Sequence, residues 1–333
     1  MNAPALASVA TGLRAWQVAV TGLLLLLPAC HDQSDAPLQQ VDADVAFGHS
    51  LSSAFTLQLI SEKKLSKLLP KKEVDEYEAS GVVASGGMLY VASDNSKKIA
   101  EIDTSLSGGK LGPGDAGESQ YEALTATDDG RFFALIESAS QTEARAEVAE
   151  LDSRTALSEQ AFTDATFEHP NKGFEGVAWV RVASAEYLLA LCENNDCKDD
   201  DSAPGEGRVK VLSRVSGVWS TEASLKLPES VAFLNYSDLA LQDDGDGSFT
   251  AAIVSHKSSA LWLGKLTTSP WAISGPGTFY AFPRTPQGGI QYCSVEGITF
   301  LGPTVLSAVS DKSDGSAPCT DKEASIHIFQ LPQ

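Results

Sequence analysis

Along most of the chain, apolar residues come in short runs of about four to eight, broken by Gly, Asp and Ser. No long stretch carries a 3.6-residue apolar period. The best helical candidate, Thr142 to Leu151, can also be read as a loop feeding a strand. Short apolar runs between turn residues predict β-strands. Many strands without helices to cover them predict a sandwich, a barrel or a propeller.

A repeated unit selects among these. The first copy reads Glu78-Ala79-Ser80-Gly81-Val82-Val83, then Met88 to Asn95, then Ile99 to Asp103. The second reads Glu122-Ala123-Leu124-Thr125, Phe132 to Glu137, and Val148 to Asp152. The third has Glu175-Gly176-Val177-Ala178, Tyr187 to Asn194, and Val209 to Leu212. The fourth has Asp238-Leu239-Ala240-Leu241, Phe249 to Lys257, and Leu261 to Leu266. The fifth has Val295-Glu296-Gly297-Ile298, Val305 to Lys312, and Ile326 to Phe329. The acidic anchors at 78, 122, 175, 238 and 296 lie 44 to 63 residues apart. That exceeds the ~40–50 of compact propeller repeats, so the excess belongs in loops. A fourth strand fits between units, as at Val218 to Leu227. The expectation is an all-β fold, a five-bladed β-propeller over residues 54–333. Ala54 to Ile60 would complete the last blade and close the ring. A sixth, degenerate blade is the alternative.

In such a propeller the start of each inner strand and the end of each second strand share one face. The inner strands would bring Glu78, Glu122, Glu175, Asp238 and Glu296 to the channel mouth. The second strands would add Asp94, Glu137, Glu193, His256 and Asp311. Crowded carboxylates repel, so they hold protons or a cation, and oxygen-only ligands suit Ca²⁺ or Mg²⁺. A cationic or polar ligand is a further occupant. Alternatively, each acid accepts hydrogen bonds from neighbouring blades and stitches the ring together. His256 is the one histidine placed at the mouth to act as acid or base.

The N-terminus changes the setting. Residues 1–29 hold one charge, Arg14, followed by an apolar run of about 15 residues, short for a ~30 Å hydrocarbon layer. The run ends in Leu27-Pro28-Ala29-Cys30, the pattern of a bacterial lipobox. Residues 1–29 therefore read as a lipoprotein signal peptide, Cys30 as the lipidated residue, and 30–53 as a flexible tether. His31, not Asp, follows the cysteine, which points to the outer membrane. Taking Arg14 from the 24 basic residues leaves 23 against 44 acidic, a net of −21. So acidic a body argues against nucleic acid as a partner. Of the remaining cysteines, nearest pairing joins Cys192 to Cys197 and Cys293 to Cys319, with two other connectivities open. There is no phosphate loop, no Gly-x-Ser-x-Gly and no His-Glu-x-x-His.

Three segments resemble the SdiA-regulated (YjiK-like) β-propeller family of bacterial envelope lipoproteins. They are Gly173-Phe174-Glu175-Gly176-Val177-Ala178-Trp179, Val254 to Leu261, and Val295-Glu296-Gly297-Ile298 with Val309-Ser310-Asp311. The resemblance implies a propeller and an envelope location but little chemistry. Asp238-Leu239 departs from the Ser-Gly expected there. The Glu-Gly and Ser-Asp signatures also resemble esterase-like phytase propellers, which implies calcium-dependent phosphoesterase chemistry. Two functions follow as expectations. One is a lipid-anchored module that binds or scaffolds an unknown envelope protein or a small ligand. The other is a calcium-dependent hydrolase, phosphoesterase-like or lactonase-like.

Overall fold

Runs such as Leu188-Leu189-Ala190-Leu191 are buried on both faces of their strand, which a strand sandwiched between two neighbouring sheets requires. The computed structural model describes residues 55–70, 77–112, 119–137, 144–152, 156–168, 172–198, 205–312 and 319–332. The expected signal peptide, Cys30 and the tether lie outside the described residues.

Two short strands open the described chain, β1 (Phe55–Thr56) and β2 (Gln58–Lys64), followed by a single helical turn, α1 (Leu65–Leu68). Antiparallel meanders follow. The first is β3 (Ala79–Ser85), β4 (Met88–Ser93), β5 (Ser96–Asp103) and β6 (Gly109–Leu111). The second is β7 (Tyr121–Ala126), β8 (Phe132–Ile136), β9 (Arg145–Asp152) and β10 (Ala156–Thr166). The third is β11 (Phe174–Val182), β12 (Ala185–Cys192), β13 (Arg208–Val215) and β14 (Val218–Lys226). The fourth is β15 (Asp238–Asp243), β16 (Ser248–Ser255), β17 (Ala260–Thr268) and β18 (Trp271–Ala281). The last is β19 (Val295–Gly302), β20 (Val305–Ser310) and β21 (Ser325–Gln330), with β2 as its outer strand. Most of the helical candidate at Thr142 to Leu151 is strand β9, because Val148, Ala149 and Leu151 pair with β8 and β10 and enter two different cores.

The inner strands β3, β7, β11, β15 and β19 each contact the next, and β19 contacts β3. Five apolar cores fill the spaces between successive meanders, from Tyr90 against Phe132 round to Leu89 against Ile326. The fold is a β-propeller. Counted as meanders around the axis it has five units. Counted as hydrogen-bonded sheets it has four, because β10 and β14 pair in parallel at Thr163 and Trp219 and join the second and third meanders. Among the described residues there is no sixth meander.

Closure differs in register from the expectation. The closing strand is Gln58–Lys64 rather than Ala54 to Ile60, running antiparallel to β21 from Gln58 opposite Gln330 to Lys64 opposite Ser325. Phe55 and Thr56 instead pair in parallel with Tyr280 and Ala281 of β18. Side-chain partners decide this. Glu62 on β2 reaches His327 Nδ1 (3.3 Å) and Lys322 Nζ, while Tyr292 Oη donates to it at 3.4 Å. His327 is fully buried, and its Nε2 lies 3.0 Å from Ser310 Oγ. The sequence around His327 shows only an alternating strand, so this contact is a tertiary finding.

The inner strands approach so closely that glycine stands at three of the contacts. A Cβ on Gly176 would lie 2.6 Å from Leu239 N, one on Gly297 2.7 Å from Val82 N, and one on Gly81 2.9 Å from Ala123 Cα. Just before each of these glycines the strand carries a bulge, at Ser80, Glu175 and Glu296; Glu122 is bulged in the same way. A bulge turns its side chain away from the regular alternation.

Two outcomes are expected. Gly176→Ala should destabilise the fold by about 1–3 kcal/mol, since backbone rather than a flexible side chain meets the new methyl; urea unfolding measures it. Burial lowers the His327 pKa below 6.5. Its neutral form therefore stabilises the fold above pH 6.5, and that contribution is lost as pH falls below 6.5. Hydrogen bonding from His327, opposed by partial burial and helped by Lys322, lowers Glu62 from 4.5 to about 2, a second contribution lost below pH 4.5. Urea midpoints from pH 7.5 to 4 should fall in the wild type and fall less in a Glu62→Gln plus His327→Gln variant.

Candidate functional site

The mouth at the N-terminal ends of the inner strands holds a cavity of about 200 Å³. Its walls come from the bulges and from the first residue after each second strand. Those wall residues are set by backbone bonds: Asp94 N donates to Glu78 O (3.2 Å), Glu193 N to Gly173 O (3.1 Å) and Asp311 N to Ser294 O (2.8 Å). His256 N donates to Ser237 Oγ at 3.1 Å.

Glu78, Asp94, Glu122, Glu175, Glu193, His256, Glu296 and Asp311 all line the cavity, with Ser80, Asn235 and Tyr236 beside them. Glu137 joins from the second meander. One oxygen from each of Glu137, Glu175 and Glu193 lies within 4.8 Å of the other two.

Two anchors differ from the expected ring. Asp238 does not line the cavity. Its strand pairs with β16 without a bulge, and its buried carboxylate accepts Leu239 N and, across the gap, Ile298 N, both at 2.7 Å. It stitches β15 to β19. Glu78 reaches the mouth from the segment before β3, two residues ahead of the bulge at Ser80. Matching acid to acid shifted that repeat by two residues; matching the residue before glycine places Ser80 with Glu175 and Glu296. Ser80 Oγ donates to Tyr121 O, another stitch between inner strands.

Charge is unevenly balanced. Lys172 Nζ donates to both oxygens of Glu193 at 2.8 Å. Lys312 lies 3.3 Å from Glu78. His256 Nδ1 lies 2.9 Å from Glu296 Oε1, and Asn235 and Ser237 also hold its ring. Burial alone would raise Glu296, but His256 brings it below 4.5. Glu122 and Glu175 receive no hydrogen bond from a described residue. Burial raises both well above 4.5, reinforced by the neighbouring carboxylates. Burial and Glu78 push Asp94 up to about 6, and burial pushes Asp311 up to about 7. Asp94 Oδ1 and Asp311 Oδ1 are buried with no partner among the described residues.

Both disulfides follow nearest pairing and sit at this mouth. Cys192–Cys197 begins next to Glu193, and Cys293–Cys319 brackets Glu296 and Asp311. Below the cavity, inner-strand segments from all five meanders line a narrower space of about 150 Å³. There Thr299 Oγ1 accepts Ala84 N (3.1 Å) and Thr125 Oγ1 accepts Trp179 N (2.9 Å). Ser310, His327 and Glu62 are ordered as in a nucleophile triad, but Ser310 and His327 are buried and Ser310 lines neither cavity. That group is structural.

No protein-family model and no curated protein matches the sequence. Solved structures with a similar fold include glutaminyl cyclase of Myxococcus xanthus at 8% identity and a TM-score of 0.48, covering 84% of this chain and 98% of that one. The aldose sugar dehydrogenase of Streptomyces coelicolor matches at 12% identity and a TM-score of 0.44, covering 81% and 98%. Hydrazine synthase of Kuenenia stuttgartiensis matches at 11% identity and a TM-score of 0.39; the match covers 74% of this chain and 59% of that protein. At these identities the chemistry rests on this chain's own residues.

Glu78→Gln should lower the Asp94 pKa from about 6 toward 3.8, because one of the two causes of its rise is removed. Carboxyl-carbon NMR titration reads this directly. An unmoved Asp94 midpoint would show that burial acts alone.

Proposed function

We propose that this protein is a lipid-anchored envelope propeller that binds a divalent cation, Ca²⁺ first, or a small cationic ligand in its acidic mouth. The convergence of Glu137, Glu175 and Glu193 oxygens within 4.8 Å carries the reading. Oxygens bound to one Ca²⁺ at ~2.3–2.6 Å lie up to about 5 Å apart, so this spacing suits that ion. Among the described residues nothing hydrogen-bonds to Glu122 or Glu175, and Asp94 Oδ1 and Asp311 Oδ1 have no partner; both observations support an occupant with positive charge. The anchor at Cys30, the outer-membrane location and the kinship with SdiA-regulated propellers belong to this proposal and rest on the sequence patterns. An envelope protein recognised through the mouth is the partner the reading implies.

A second reading has one observation behind it. The His256–Glu296 pair sits in the same cavity, where Glu296 would orient His256 as the general base of a calcium-dependent hydrolase acting on phosphoesters or lactones.

Calorimetry with CaCl₂ on the full chain is the test. Binding should release protons and tighten as pH rises from 5.5 to 7.5, since Asp94 and Asp311 give up protons near 6 and 7. Glu137→Gln plus Glu175→Gln should weaken it at least tenfold. No heat in the wild type, or unchanged affinity in the variant, would discard the cation reading. Chelator-sensitive hydrolysis lost in His256→Ala would promote the second.

A further inference from the structure

Of the seven large apolar side chains exposed among the described residues, three stand together where the described chain begins. Phe55 (55% exposed), Leu59 (38%) and Ile60 (55%) lie within the first six described residues. They belong to β1 and to β2, whose outer edge pairs with no other strand among the described residues. Ile60 also borders a groove of about 650 Å³ with Met88, Phe300 and Leu301. The local charge is opposite to that of the whole. In a chain of net −20, residues 55–70 carry Lys63, Lys64 and Lys67 against Glu62 alone, and Lys322 already pairs with Glu62. Lys63 and Lys67 are exposed.

We infer that this rim, formed by Phe55, Leu59 and Ile60 with Lys63 and Lys67, rests on an anionic phospholipid surface. The inference depends on the lipid anchor at Cys30. From there, residues 31–54 form a connection of only 24 residues that ends at Phe55, which keeps this rim within a short tether of the bilayer. Exposed aromatic and aliphatic side chains gain by entering the interface, and each neighbouring lysine is attracted by the headgroup phosphates. The acidic remainder is repelled from the same surface, so charge selects the rim that touches.

The acylated full chain in phosphatidylglycerol–phosphatidylethanolamine vesicles tests this through F55W and V215W. Val215 is also exposed, 56%, but sits on the distant β13–β14 turn. Nitroxide-labelled lipid should quench F55W at least threefold more than V215W. Adding K63E plus K67E, or raising salt to about 0.5 M, should reduce the F55W quenching severalfold. Equal quenching at the two sites, no quenching at F55W, or no effect of the charge reversal would overturn the proposal. So would a concentration-dependent dimer that buries F55W away from lipid. Mass spectrometry of Cys30 in the same sample reads the anchor separately. An unmodified Cys30 removes the anchor, whereas an acylated Cys30 with unquenched F55W removes only the rim.

Discussion

Around a propeller axis, neighbouring inner strands are held by side-chain packing and a few lateral bonds, not by a shared ladder. They can sit close only if nothing projects between them. Gly81, Gly176 and Gly297 meet that demand, each facing backbone atoms of the next inner strand at a distance no methyl could accept. The residue just before each glycine is bulged, and its side chain leaves the blade interior for the mouth. Close approach of strands and convergence of acids are thus two results of one local geometry.

That geometry separates the two roles expected of the acidic ring. Stitching between inner strands falls to Ser80, Asp238, Thr125 and Thr299, short side chains whose oxygens meet groups on the next strand. At the cavity rim, Glu193, Glu78 and Glu296 each have a basic neighbour. Among the described residues Glu122 and Glu175 make no stitching bond, and Lys172, which acts on Glu175 through space, gives its hydrogen bonds to Glu193. A buried carboxylate without compensation must take a proton or a cation, and this is why both stand far above the ordinary glutamate range.

Much of the architecture was legible because burial on both strand faces leaves an unmistakable pattern of short, unbroken apolar runs. Glu175-Gly176 and Glu296-Gly297 were legible as site residues for the same steric reason that makes them structural. Asp238 does not reach the mouth because acidity alone does not mark a bulge, and its backbone runs regularly there. Ser80 was overlooked for the converse reason: it keeps the bulge without the charge. The closing register was hidden because Phe55-Thr56-Leu57 alternates as a strand should, while its partners lie on β18. The polarity of Glu62 gives no hint that its partner is 265 residues away at His327.

Like charges held at one opening push outward, and a mouth made of loops would relax by splaying. Here the opposing constraints lie at the same end. Cys192–Cys197 fixes the backbone beside Glu193, and Cys293–Cys319 ties the approach to Glu296 to the loop beyond Asp311. The ring itself is closed by β2, locked through Glu62 to His327 and so to Ser310, the residue before Asp311. Strain from repulsion then cannot be relieved by movement of the walls. It is relieved by protonation, which the raised Glu122 and Glu175 express, or by positive charge, and a scaffold that resists splaying keeps that demand in place.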